Sequence, residues 1–274
     1  MFKIIIMALL IFIGMVGYDN ITDKAQPTTP VQQEQQKVSK HEKSAAMALF
    51  TNLLPPKEEW PSPVHKFYLA FNMDEVIDPI RQNPNWTSLD AMSRDIPQAL
   101  IAIEDHAFYN HGAIAVEGIL RAALANINAG EVVQGGSTLT QQFVKNVFLS
   151  HEQSMERKIE EAVLSLMLED NYSKDEILEL YLNTTYFGAG STGIKQASRT
   201  YFGKAPSALT LAEAAVIASL PYAPTSLNPL ENPDGCKKRQ LLVLAAMHKY
   251  GMINQGQLAE AKAEKIRLTN GTVM

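Results

Sequence analysis

A single cysteine, Cys236, is all that this chain of 274 residues contains, so an intrachain disulfide and a multi-cysteine metal site are both excluded. Positive charge is not in surplus either. The 24 Lys and Arg against 29 Asp and Glu leave a net charge of −5, which argues against nucleic acid as a partner. Charged residues make up 19 % and hydrophobic ones 46 %, the balance of a folded domain rather than a disordered chain. Convincing runs of alternating apolar and polar residues are missing, as is any internal repeat. The expected fold is therefore mostly α.

What is present begins with an address. Lys3 precedes an unbroken apolar run from Ile4 to Gly17, and Asp19 and Asp23 follow it. That order of charges points the N-terminus to the cytoplasm and the remainder outward. As a helix the run spans about 21 Å, short of the roughly 30 Å hydrocarbon core. Residues 1–18 read as a signal-anchor or as a cleaved signal peptide, and either reading exports the protein. Residues 19–59 read as a polar tether, marked by the run Gln32 to Gln36, followed by a short Ala-rich helix and a proline cluster. The compact domain is expected over 60–274.

Within that domain, helix starts announce themselves. Thr138 with Gln141, Ser173 with Glu176 and Thr210 with Glu213 fit the capping box, in which each partner satisfies a backbone donor of the other. Asn232-Pro233 reads as an N-cap and first-turn proline, with Gly251 closing that helix.

Four segments concentrate polar groups beyond what a helical bundle needs. In Glu104-Asp105-His106-Ala107-Phe108-Tyr109-Asn110-His111, two acids arrive at the end of an apolar helix. Burial there would raise a carboxylate's pKa and suit it to general-base work, although a solvated helix end is the plainer alternative. In Gly135 to Asn146, two glycines and the hydroxyls of Ser137, Thr138 and Thr140 precede a helix whose free amides would suit an anion. Gln141, Gln142 and Lys145 have the spacing to share one face, while the Gly-Lys-Ser/Thr order of a P-loop is absent. An ordinary glycine turn and N-cap would look the same. In Arg157-Lys158-Ile159-Glu160-Glu161, both cations can flank Glu161, or all can be surface ion pairs. Finally, Ile177 to Asn183 leads into Tyr186-Phe187-Gly188-Ala189-Gly190, a packed helix and glycine loop read as mainly structural.

In this order and spacing, the four segments closely resemble the family 51 glycosyltransferases, the peptidoglycan-polymerising domains of class A penicillin-binding proteins and monofunctional transglycosylases. The resemblance covers roughly Ile96 to Tyr250. The Glu-Asp-x-x-Phe pattern is met by Glu104, Asp105 and Phe108, with His111 at the family spacing. Gly-x-Ser-Thr-x-Thr-Gln-Gln-x-x-Lys-Asn is matched by Gly135 to Asn146, and Arg-Lys-x-x-Glu by Arg157, Lys158 and Glu161. Two positions depart: Ala113 stands where the family usually has glycine, and Gln153 where an arginine is common.

The resemblance implies a lysozyme-like, two-lobed helical domain with an N-terminal membrane segment. It implies polymerisation of lipid II into β-1,4 glycan strands, with inversion and release of polyprenyl diphosphate. Glu104 would be the base, with Glu161 as the second carboxylate of the site. Asp105, Phe108, His111, Ser137, Thr138, Gln142, Lys145, Asn146, Arg157 and Lys158 would form the substrate site. No cofactor is required, but there is room for a divalent cation, Mg or Mn, at the diphosphate. Expected partners are lipid II, the growing lipid-linked glycan, the membrane and other cell-wall synthesis proteins. The expected location is the cell membrane, with the catalytic domain on its extracytoplasmic, periplasmic side. Residues Ile114 to Val133 resemble the family region that lies against the membrane. Ser-x-x-Lys, Ser-Asp-Asn and Lys-Thr-Gly do not occur, so transpeptidase chemistry is not expected. The alternatives are a non-catalytic scaffold of the same fold that binds lipid II, and a peptidoglycan-cleaving muramidase.

Overall fold

The computed structural model describes residues 68–70, 72–120, 127, 135–149 and 154–274. The expected membrane segment 1–18, the tether 19–59, the boundary at 60 and Gln153 lie outside the described residues. Residues Pro79–Met274 form one compact unit.

The chain is mostly helical, as its lack of alternation implies. Helix α1 (Asp74–Arg81) is followed by α2 (Asp95–Glu104), α3 (Leu139–Phe148), α4 (Met155–Asn171) and α5 (Lys174–Thr184). Then come α6 (Ile194–Phe202), α7 (Leu211–Ser219), α8 (Pro233–Lys249) and α9 (Gln255–Ala263). Among the described residues, β-pairing is limited to isolated bridges, Tyr186 with Thr192 and Arg267 with Val273. None of the described helices is long and apolar enough to cross a membrane.

All three expected capping boxes form, at the N-termini of α3, α5 and α7. Asn232 caps α8 ahead of its first-turn proline, and Gly251 follows that helix with φ +73°. Asn254 and Gln257 form a fourth box at α9. Asparagine in place of Ser or Thr hid it from the sequence pattern.

Packing divides these helices into two groups. In one, α2, α7 and α8 pack against each other, and in the other α3 packs against both α4 and α5. Helix α7 is buried along Ala212 to Ser219, as a helix apolar nearly all round must be. Its one acid, Glu213, is buried too, bonded to the amide of Thr210 and paired with Lys204 at 2.6 Å. The glycine loop after α5 has a steric cause: Gly188 sits at φ +86°, where a Cβ would meet the Pro224 carbonyl oxygen at 2.2 Å.

Candidate active site

The first group of helices supplies one end of the site. Burial of Ile96, Ala99, Leu100, Ile101 and Ala102 seats α2 in the core, so its last residue, Glu104, is carried inward with it. Burial pushes the Glu104 carboxyl above its ordinary pKa. A hydrogen bond from Gln142 and the charges of Arg239 and Lys145 oppose that shift, while Asp105 adds to it. A carboxylate so placed is poorly solvated, and its raised pKa makes it a stronger base than a carboxylate in water.

Asp105 faces another way. Its Oδ2 accepts the Leu139 amide at 3.0 Å and its Oδ1 meets His111 Nε2 at 2.6 Å. His111 Nδ1 faces the Gly112 carbonyl at 2.6 Å. Both ring nitrogens thus meet acceptors, and the doubly protonated ring satisfies both. Burial works against that charge, but the bonds to Asp105 and Gly112 and the charge of Asp105 raise the His111 pKa overall. Phe108 is fully buried beneath this loop, so it supports the site from behind and has no surface for a ligand.

The glycine-hydroxyl segment leads into α3 with several of its amides already bonded. An open helix N-terminus would offer free amides, but Leu139 N bonds Asp105, Gln141 N bonds Thr138 Oγ1, and Gln142 N bonds the Thr138 carbonyl. The capping box and Asp105 thus take the Thr138, Leu139 and Gln141 amides. Gln141 is buried as the return arm of that box, through Oε1 to the Thr138 amide, whereas Lys145 is exposed. Thr138 is buried as well, its hydroxyl donating to the Ala113 carbonyl at 2.8 Å. Ala113 is itself buried and is not among the positive-φ residues, so alanine fits here without backbone strain. Gln142 does reach the site, donating to Glu104 Oε2 at 3.0 Å, and Lys145 and Asn146 are exposed on α3.

The other end is cationic. Glu161 is only 2 % exposed, held between Lys158, which bonds its Oε1, and Arg157, 3.7 Å from its Oε2. This is not an exposed ladder of surface pairs. Lys158 Nζ also donates to Ser137 Oγ at 3.2 Å, bringing the cation to the glycine-hydroxyl segment. Arg157 Nε is buried with no hydrogen-bond partner among the described residues.

A cavity of about 390 Å³ is lined by Glu104, Asp105, His111, Ser137, Thr138 and Tyr250, among others. Among the described residues, no cluster of three or more His, Cys, Asp or Glu could hold a metal ion. The one side chain that contacts Ser137 is a cation, Lys158, which does not suit a divalent ion there, and no step below uses one.

Three groups near Glu104 escaped the sequence reading. Tyr181 on α5 bonds Gln142, Tyr250 lines the cavity, and Arg239 on α8 acts on Glu104 while lying over the Tyr222 ring at 4.1 Å. Arg239 lies in no segment that the sequence singles out, and Tyr181 belongs to the helix read as packed and mainly structural. Neither pattern carries a signal for a partner far away in sequence.

Residues 73–248 match the family model described as transglycosylase. A Cupriavidus necator protein named as a transglycosylase is 41 % identical over 194 residues, covering 71 % of this chain and 84 % of the relative. Penicillin-binding protein 1A of Neisseria flavescens is 44 % identical over 185 residues, 68 % of this chain but 23 % of that protein. Penicillin-binding protein 1A of Aquifex aeolicus is 44 % identical over 176 residues, 64 % of this chain and 24 % of that one. The chain thus spans about a quarter of these two longer relatives and most of the first. With the family pattern matched over most of the domain and its first two polar segments lining one cavity, the chain belongs to the transglycosylase family, the peptidoglycan glycosyltransferases of family 51.

Proposed function

We propose that the protein polymerises lipid II into β-1,4 glycan strands on the outer face of the cell membrane, without transpeptidase activity. The observation that carries this reading is the pairing, around one cavity, of a buried carboxyl of raised pKa with a hydroxyl segment contacted by a cation. The two helix groups correspond to the two lobes of a lysozyme-like domain in this proposal.

In the reaction, the 4-hydroxyl of the incoming sugar attacks the anomeric carbon of the lipid-linked chain. Its proton passes to Glu104 as the new C–O bond forms. The bond from the anomeric carbon to the diphosphate oxygen breaks, and its electron pair leaves with the diphosphate. Inversion follows from attack opposite the leaving group. Lys145, Arg157 and Lys158 stabilise the growing negative charge, with Ser137 as a hydrogen-bond donor. Charges placed in advance for this purpose commonly supply the largest share of barrier lowering. Glu161 orients Arg157 and Lys158. Asp105, His111, Phe108 and Thr138 hold the two walls in register, and Gln142 holds Glu104, while Asn146 stands exposed beside Lys145. Exposed Val116, Ile119 and Leu120, from a helical stretch at 116–120, are the residues we assign to the membrane surface.

The test is to give full-length protein lipid II in detergent and resolve the products. The reading expects long glycan strands that a muramidase digests to β-1,4 disaccharides, with no crosslinked peptides. Lipid II binding without polymer would replace it with a scaffold, and cleavage of added glycan with a muramidase.

A further inference from the structure

Glu104 ends a chain of hydrogen bonds that runs into the core. Gln142 Nε2 donates to Glu104 Oε2 at 3.0 Å, and the Tyr181 hydroxyl donates to Gln142 Oε1 at 2.9 Å. The network sets the orientation of the amide, because an ionised carboxylate only accepts. Tyr181 is 1 % exposed and Thr185, one helical turn further on, is 4 % exposed. The Thr185 amide bonds the Tyr181 carbonyl at 2.9 Å, and the Thr185 hydroxyl lies near that of Tyr181 without the alignment of a formed hydrogen bond. Yet Thr185 Oγ1 has no hydrogen-bond partner among the described residues. A buried hydroxyl left unpaired is costly and calls for a reason.

We propose that Glu104, Gln142, Tyr181 and Thr185 form a two-state hydrogen-bond relay that satisfies Glu104 in both protonation states, with Thr185 Oγ1 the acceptor held for the protonated one. The proposal rests on the reading of Glu104 as the base. With Glu104 ionised, Gln142 gives it a donor and Tyr181 fixes the amide by donating to its oxygen. When the proton taken from the 4-hydroxyl comes to rest on Oε2, Glu104 becomes a donor there and faces an amide N–H that cannot accept. Turning the Gln142 amide over brings Oε1 to the Glu104 proton and Nε2 to the Tyr181 oxygen. The Tyr181 proton then swings to Thr185 Oγ1. The three links of the chain, each a donor facing an acceptor, are then complete. No covalent bond changes within the relay, and the proton on Glu104 later leaves to water. Tyr181 and Thr185 are thus positioning residues for the base.

The other charged groups acting on Glu104 are Arg239 from α8, Lys145 from α3 and the adjoining Asp105. None of them is altered in the variants below, so a displaced titration reports the relay itself.

The test measures kcat and KM for lipid II against pH in full-length parent, Thr185→Val, Tyr181→Phe, the double variant and Glu104→Gln. Thr185→Val keeps the shape but removes the reserve acceptor, so protonated Glu104 is less stable. Its acid limb should move down by about half to one pH unit, and kcat should fall about three- to tenfold with KM unchanged. Tyr181→Phe should cost about tenfold in kcat. In that background Thr185→Val should add nothing, because Thr185 acts only through Tyr181. A merely structural threonine would leave the pH profile unmoved. Thr185→Val with the parent's acid limb overturns the relay, and this variant decides alone if Tyr181→Phe does not fold. Inactive Glu104→Gln in the same series would confine such a failure to the relay. Near-parent activity of Glu104→Gln would overturn both the base reading and the relay.

Discussion

The two parts of the site are built to different tolerances. At the Glu104 end the carboxyl is buried and fixed by Gln142, which is fixed in turn by fully packed Tyr181, so α2, α3 and α5 meet in one chain of bonds. At the cationic end Lys145 is exposed, the Lys158 side chain is 46 % exposed, and the anchor is the single carboxylate Glu161. On the proposed chemistry the difference follows from distance dependence. Proton transfer needs donor and acceptor within about 3 Å and aligned, whereas charge acts over several ångströms and tolerates movement. Precision is spent where the proton moves, and mobility is left where the diphosphate must be gripped and released.

Glu104→Gln should break the comparison hardest. Polymerisation should fall by about 10²–10⁴-fold, since the amide keeps the shape but cannot accept the proton. The same change should raise the melting temperature at neutral pH. With the Glu104 pKa raised in the folded state, folding binds a proton between the ordinary and the raised value. Parent stability therefore declines as pH rises through that window, and the amide escapes the decline. Equal melting curves for parent and variant at every pH would contradict the burial argument.

Glu161→Gln should strike the other end with a smaller effect. Arg157 and Lys158 would lose their shared anchor, and kcat/KM for lipid II should drop by about tenfold, mostly through KM. A loss confined to kcat would instead place Glu161 in the chemistry.

Asp105→Asn addresses the joint between the two walls. His111 gains its raised pKa partly from Asp105, so the stability of that pair is present below the ordinary histidine pKa and fades as pH rises through the raised one. Thermal melts should show a gap of about 1–2 kcal/mol at mildly acid pH that narrows as pH increases. A gap independent of pH would mean that only the Leu139 cap was lost.

The smallest effect concerns Gln153, which lies outside the described residues. Gln153→Arg restores the cation common in the family, and a charge-assisted phosphate contact is roughly twice as strong as a neutral one. A modest gain in turnover or lipid II affinity is expected in parallel polymerisation assays. An active parent with no gain shows that the position is not limiting. Two inactive proteins that still bind lipid II favour the scaffold.

The local devices were legible because their partners are close in the chain. Capping boxes join residues three apart, and Thr138, Ser173 and Thr210 begin helices as their spacing implies. The i,i+3 and i,i+4 placement of Lys158 and Arg157 on Glu161 was readable for the same reason. So was the burial of Glu104, since the apolar residues that draw α2 inward immediately precede it.

What the sequence determined by itself was therefore the helical class, the helix starts and the family pattern, all written in short-range spacing. Only the tertiary structure decided which groups are free to act. It assigned the α3 amides to Asp105 and Thr138, turned Gln141 inward, buried Phe108, and brought Tyr181 and Arg239 to Glu104. The physical reason is that a donor's availability depends on every acceptor within about 3 Å of it, and folding draws those acceptors from distant segments.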